Sequence, residues 1–141
     1  MILPDVNVLI YAFRPGTPQH TNCSRWLESV VNGEATYGMS PLVLSSFLRI
    51  LTNRRIYQPP DPLEKVLAFA DVLLGQPHCQ IIHPGPRHWR IFCDLCRQTN
   101  VSGGLVPDAW FAALAIESGC EWITLDRDFR RFDGLRWRTP F

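Results

Sequence analysis

Short apolar runs alternate with stretches of helical periodicity along most of the chain. Met1 to Leu3 is an apolar run closed by Pro4, which predicts a first strand, and Val6 to Phe13 reads as a short helix. Pro15-Gly16-Thr17-Pro18 breaks the chain. From His20 to Val31 the apolar positions Cys23, Trp26, Leu27, Val30 and Val31 fall on one helical face, and Asn32-Gly33 stops the helix. Ala35 to Met39 has strand character. Ser40 then stands at an N-cap with Pro41 in the first helical position, which predicts a helix to about Asn53.

Pro59-Pro60 breaks the pattern again before a helix from Leu63 to Leu74, ended at Gly75. Gln80 to His83 is a further strand-like piece, bounded by Pro84-Gly85-Pro86. Arg87 to Gln98 is helical, Ser102-Gly103-Gly104 is a loop, and Asp108 to Ser118 is a strongly apolar helix closed by Gly119. Glu121 to Leu125 and Leu135 to Arg138 complete the strands. This alternation predicts an α/β fold, a three-layer α/β/α sandwich on a mostly parallel sheet, in one domain spanning residues 1–141.

Composition narrows the partners only slightly. A chain of 141 residues, 46% of them hydrophobic, has enough core to fold without disulfide or metal staples. The formal net charge of +1 excludes a polybasic nucleic-acid binder. Thirteen of the 14 cations are arginine, which grips phosphate in a planar fork; a GC-rich genome produces the same bias. Five unevenly spaced cysteines fit a reducing compartment better than a disulfide framework. Cys93 and Cys96 lack a second ligand pair, and a spacing of three on a helix places both on one face without any metal. The N-terminus lacks the basic start of a signal peptide, and no apolar run is long enough to span a bilayer. The expectation is a cytoplasmic protein without a membrane partner.

Three aspartates occupy related places in this map. Asp5 follows the first strand, Asp126 follows the strand ending near Leu125, and Asp108 stands at the start of a helix. In an open parallel sheet the crevice beyond the strands' carboxyl ends is where ligands bind. Each aspartate alone is equally a helix cap. Capping is served as well by Ser, Thr or Asn, however, and all three positions hold carboxylates. Clustered carboxylates repel one another unless a cation compensates, and grouped hard oxygen ligands suit Mg²⁺ or Mn²⁺. Such a site serves hydrolysis of a phosphodiester.

Several segments together resemble a known family: Asp5-Val6-Asn7-Val8-Leu9-Ile10-Tyr11-Ala12-Phe13, Phe47-Leu48-Arg49-Ile50-Leu51-Thr52-Asn53, Val106-Pro107-Asp108-Ala109-Trp110, Thr124-Leu125-Asp126-Arg127-Asp128-Phe129 and Gly134-Leu135-Arg136-Trp137. Over its whole length the chain resembles the PIN-domain ribonucleases, specifically the VapC toxins of bacterial VapBC toxin–antitoxin pairs. The resemblance implies an Mg²⁺- or Mn²⁺-dependent endoribonuclease of structured RNA such as tRNA or rRNA. It makes Asp5 and Asp108 the leading metal ligands and Asp126 the further acid. Asn7 and Thr124 would orient the carboxylates or the water, and Asp128 is either an outer contributor or a solvated turn residue. It also implies a homodimer and a VapB-like antitoxin whose tail blocks the acidic pocket. One departure stands out: the family usually carries a glutamate in the helix after the second strand, and the matching place here holds Ser46, with no acid nearby.

Two rival readings remain in view. A non-catalytic PIN-like RNA-binding or scaffold domain fits the missing glutamate but leaves three retained acids unexplained. A phosphoacceptor receiver or aspartyl phosphatase fits aspartates at strand ends. The phosphatase needs a second Asp where Asn7 stands, and the receiver needs a lysine near the last strands, whereas Lys65 is the single lysine. No P-loop or nucleophile elbow is present. The histidines, His20, His78, His83 and His88, show no ligand spacing and are expected at or near the surface. The helices Leu42 to Leu51 and Leu63 to Leu74 carry apolar residues around most of their circumference, which predicts a face covered by a partner or a second copy. The alternative cover is an unassigned loop or the C-terminal Trp137 and Phe141.

Overall fold

The computed structural model describes residues 1–141. Five short strands, β1 (Ile2–Pro4), β2 (Tyr37–Met39), β3 (Cys79–Ile81), β4 (Glu121–Ile123) and β5 (Trp137–Arg138), form one sheet in the order β3-β2-β1-β4-β5. Every neighbouring pair is parallel. The connections carry helices α1 (Val6–Phe13), α2 (His20–Val31), α3 (Pro41–Leu51), α4 (Leu63–Leu74), α5 (His88–Thr99) and α6 (Val106–Ser118). The three-layer α/β/α arrangement read from the alternation of elements is the one observed.

Strand order and handedness together place the layers. The chain steps from β1 to β2 to β3 in one direction, then returns across the sheet to β4. Right-handed crossovers therefore put α1 to α4 on one face and α5 and α6 on the other. The packing agrees: α1 lies on α2 and α3, α3 on α4, and α5 on α6. The direction of winding reverses between β1 and β4, so a crevice opens beyond their carboxyl ends.

Several boundaries differ from the sequence pattern for identifiable reasons. β4 stops at Ile123 rather than Leu125 because the Leu125 amide is taken by the Asn7 side chain. β5 starts at Trp137 rather than Leu135 because Gly134 sits at φ +84 in a turn and the Leu135 amide bonds back to Phe132. α3 ends at Leu51 because the Asn53 amide turns to the Ile50 carbonyl, three residues back, instead of continuing the four-residue pattern. α6 starts at Val106, with Pro107 in its first turn, so Asp108 lies within that turn instead of capping it.

The core runs through both interfaces. On one face Phe13, Phe47 and Phe69 meet with ring centroids 5.1–5.7 Å apart, joining α1, α3 and α4. On the other, the alanines of α6 allow close approach to the sheet, and Phe111 stacks on the buried Trp122 of β4 at 5.4 Å. His88 departs from its expected surface position. It is buried, its Nε2 lies 3.0 Å from the Trp110 carbonyl, and its ring packs against Trp110 and Phe92.

The apolar surplus of α3 and α4 is partly absorbed within the chain. Val43, Leu44, Phe47 and Leu51 of α3 and Val66, Ala70 and Leu73 of α4 are buried. Leu42, Leu63 and Val72 remain exposed. The C-terminal aromatics do not cover them: Trp137 pairs with Trp122 at the far edge of the sheet, and Phe141 is itself exposed.

Phe47 is fully buried, whereas Leu42, five residues earlier on the same helix, is 46% exposed. Urea denaturation should therefore show Phe47→Ala destabilised by about 3–5 kcal/mol. Leu42→Ala should stay within about 0.5 kcal/mol of the unaltered chain. Equal losses at the two positions would contradict this packing of α3.

Candidate active site

The crevice between β1 and β4 is organised by one hydroxyl. Asp5 directly follows β1, and its amide extends the sheet by bonding to the Ile123 carbonyl at 2.8 Å. Its carboxylate is buried at the start of α1, where Oδ1 accepts from the Val6 amide at 2.6 Å. Thr124, buried directly after β4, donates its hydroxyl to Asp5 Oδ2 at 2.6 Å. The same oxygen accepts from Asn7 Nδ2 at 3.2 Å and from the Asp126 amide at 3.0 Å. One proton is donated and both lone pairs are filled, so the hydroxyl has no freedom left.

Asn7 completes the connection. Its Nδ2 also donates to Asp5 Oδ2 at 3.2 Å, and its Oδ1 accepts from the Leu125 amide at 3.2 Å. The two chain segments leaving β1 and β4 are thereby tied together side chain to backbone. Asp126 then accepts from the Asp128 amide at 2.9 Å with Oδ1, capping the 3₁₀ turn Arg127–Arg131. Two of the three aspartates thus do cap.

Asp108 does not. It sits in the first turn of α6, half-buried, and no protein donor reaches either of its oxygens. α6 precedes β4 and packs against it, so its N-terminus lies at the carboxyl end of the sheet, beside the other acids. Asp5, Asp108 and Asp126 line one open cleft of about 450 Å³, together with Asn7, Ser46 and Arg49, over an apolar floor that includes Ile10, Phe111 and Phe129.

The electrostatics follow from burial and shared sign. Burial pushes the Asp5 carboxyl up to about 7; the hydrogen bonds from Thr124 and Val6 oppose the rise, and the charges of Asp108 and Asp126 add to it. Asp108 is pushed up to about 6, by burial first and then by Asp126, with Arg131 opposing and Asp128 adding. The carboxylates feel one another but are not drawn into a cage. No three of the chain's His, Cys, Asp and Glu side chains are grouped closely enough to hold a metal by themselves.

The remaining sequence candidates fall on either side of the cleft wall. Ser46, where the resemblance leads one to expect an acid, lines it together with the carboxylates. Asp128 is exposed and does not line it; its carboxylate lies 3.7 Å from Arg131. Arg49, the one cation lining the cleft, lies in a segment that carries the family resemblance but is not among the site residues read from the sequence. The signal that finds it is helical register, since it follows Ser46 by three positions on α3.

Comparison with known proteins adds the family. The model of the PIN domain matches residues 2–135. Ribonuclease VapC31 of Mycobacterium tuberculosis is 39% identical over 140 residues, covering 99% of each chain. Ribonuclease VapC25 of the same organism is 40% identical over 140 residues, again covering 99% of each. Among solved structures, VapBC2 from Rickettsia felis bound to a promoter DNA fragment is similar with a TM-score of 0.69 at 19% identity, covering 99% of this chain and 98% of that one. The Mycobacterium tuberculosis sarcin–ricin loop cleaving toxin VapC20 gives 0.65 at 18% identity, covering 96% and 99%.

The raised Asp5 carboxyl makes stability depend on pH. Between its ordinary value of 3.8 and about 7, the folded chain holds a proton that the unfolded chain has released. Its contribution is full below the unfolded value and is lost as pH rises through the folded one. In EDTA, the melting temperature of the unaltered chain relative to Asp5→Asn should fall across this window and level off above it. A difference that does not change with pH would contradict a buried, titrating Asp5.

Proposed function

Because the chain belongs to the PIN-domain family, with VapC ribonucleases as full-length relatives, we propose that it is a metal-dependent endoribonuclease, the toxin of a type II toxin–antitoxin pair. The observation that carries the metal-dependent part is Asp108. A half-buried carboxylate that caps nothing, meets no protein donor and faces Asp126 is a destabilising feature unless a cation joins it.

The donor set fits a hard divalent ion. The cleft offers carboxylate, amide and hydroxyl oxygens and no thiolate or imidazole. Asp5, Asp108 and Asp126 would hold Mg²⁺ or Mn²⁺, and their spread suits an ion that keeps several waters. When bound, such an ion supplies the positive charge that lowers the pKa of water and offsets charge building on a phosphodiester. Thr124 and Asn7 hold the Asp5 carboxylate in one orientation and remove the cost of rearranging it during reaction. Asp126 is fixed through its own amide and its turn, so its geometry relative to Asp5 is set before substrate arrives.

The substrate in this reading is RNA, with structured RNA such as tRNA or rRNA the favoured class, and water is the nucleophile. The partner is a VapB-like antitoxin, and the exposed Leu63 and Val72 leave apolar surface for it or for a second copy of the chain. The relatives' names support the ribonuclease assignment, and the structural neighbours that are toxin–antitoxin complexes support the partner.

Purified protein should cleave RNA with Mg²⁺ or Mn²⁺ and stop in EDTA. Asp5→Asn and Asp108→Asn should each reduce cleavage by at least about a hundredfold with circular dichroism unchanged, since each removes charge but little volume. Full activity in EDTA, or in both variants, would overturn the assignment. End mapping of total cellular RNA after induction would identify the target in the same experiment.

Ser46 supplies an independent check on the cleft. Ser46→Glu adds a carboxylate beside the other acids and should tighten Mn²⁺ binding by calorimetry. Unchanged or weaker affinity would mean that this turn of α3 serves packing against its neighbours and not the metal pocket.

A further inference from the structure

The acidic cleft does not end at Ser46 and Arg49. These two side chains, with Phe111, also form the wall of an adjoining groove of about 340 Å³. The rest of its lining includes Leu42, Phe92 and Trp110 and contains no carboxylate. The two spaces are thus neighbours with opposite character. One gathers three acids; the other is apolar and aromatic, and its single charged group is an arginine. Beyond it the aromatic surface continues, since Trp89 is 64% exposed and its ring lies 5.4 Å from that of Phe92.

We infer that this groove receives the nucleobase next to the scissile phosphate, with Arg49 holding the phosphodiester between the two spaces. The inference rests on the endoribonuclease reading and adds to it a base subsite and a phosphate-positioning residue. A single-stranded nucleic acid asks for this combination: a cation that tracks the backbone and an aromatic side chain for the base, here the half-buried Trp110, with the buried Phe92 and Phe111 packed behind it. The acids repel a bare polyanion, so Arg49 is the one group in the cleft wall that attracts the strand before chemistry. Its guanidinium suits a phosphate oxygen pair. The groove lies within the size range of small-ligand clefts, about 300–1,000 Å³. Trp110 and Asp108 stand two residues apart in α6, so base subsite and acid are carried on one rigid element.

The test is binding in EDTA, so that it does not depend on catalysis. The probe is a short single-stranded RNA oligonucleotide carrying 2-aminopurine, read by anisotropy and by quenching of the base on stacking. Arg49→Gln should weaken binding about tenfold and reduce the slope of log affinity against log salt by about 0.7; Arg49→Lys should keep that slope. Leu42→Glu, at the exposed rim, should weaken binding about tenfold and abolish the quenching. Ile56→Glu, at an exposed position that lines neither space, should bind as the unaltered chain does. Binding and quenching unaffected by Arg49→Gln and Leu42→Glu would overturn the inference. So would a Leu42→Glu variant that changes sedimentation but not RNA binding, which would assign the groove to a second copy of the chain. The cleavage assay in EDTA tests the endoribonuclease reading separately, so the two fail in distinguishable ways.

Discussion

The hydrogen bond from Thr124 to Asp5 joins the two strands at which the winding of the sheet reverses, and the rest of the site is arranged around it. Asp5 leaves the end of β1 and Thr124 the end of β4, 119 residues later, yet their side-chain oxygens are 2.6 Å apart. This contact requires β1 and β4 to be parallel and in register, with Pro4 opposite Ile123. It also needs α1 to begin at once after β1, so that Asp5 is both strand end and helix start. Asn7 and the amides of Leu125 and Asp126 close around the pair. The constraint is local in space and global in sequence.

The same arrangement carries an electrostatic cost. Burying Asp5 disfavours its charge, and placing Asp108 and Asp126 beside it disfavours it further. Good hydrogen bonding reduces the penalty at Asp5, whereas Asp108 accepts no hydrogen bond and is eased only by the charge of Arg131. A fold selected for stability alone would replace these carboxylates with amides or hydroxyls, which cap equally well. Retaining three acids at the switch point is intelligible for a site that is completed by a cation, and this is why the metal-dependent reading carries more weight than a purely RNA-binding one.

Ser46 gives the site its individual character, and Arg49 stands one turn from it on the same wall. Where the family resemblance leads one to expect a glutamate, α3 presents a small hydroxyl, and one turn on it presents a cation. The α3 wall of the cleft is therefore less negative than the resemblance implies, and it faces both the acids and an aromatic groove. α3 is held there by Phe47, whose ring is buried among Phe13 and Phe69, so the helix that borders the cleft is also anchored in the core.

The alternation of apolar runs and helical periodicity was enough to determine an α/β/α sandwich with a parallel sheet, because β–α–β order leaves few right-handed arrangements. The acids at strand ends were legible for the same reason: position along a β–α unit fixes which end of the sheet a residue occupies. Sequence could not order the strands, since three-residue strands carry no signal of their neighbours, and the pairing of β1 with β4 is a contact across most of the chain. Nor could it separate Asp108, which caps nothing, from Asp126, which does; that depends on where α6 begins, and Pro107 is accommodated inside the first turn. The burial of His88 and the turning of Arg49 into the cleft are likewise tertiary outcomes. Each depends on which face of a helix meets a neighbour, and periodicity identifies a face without identifying what lies against it.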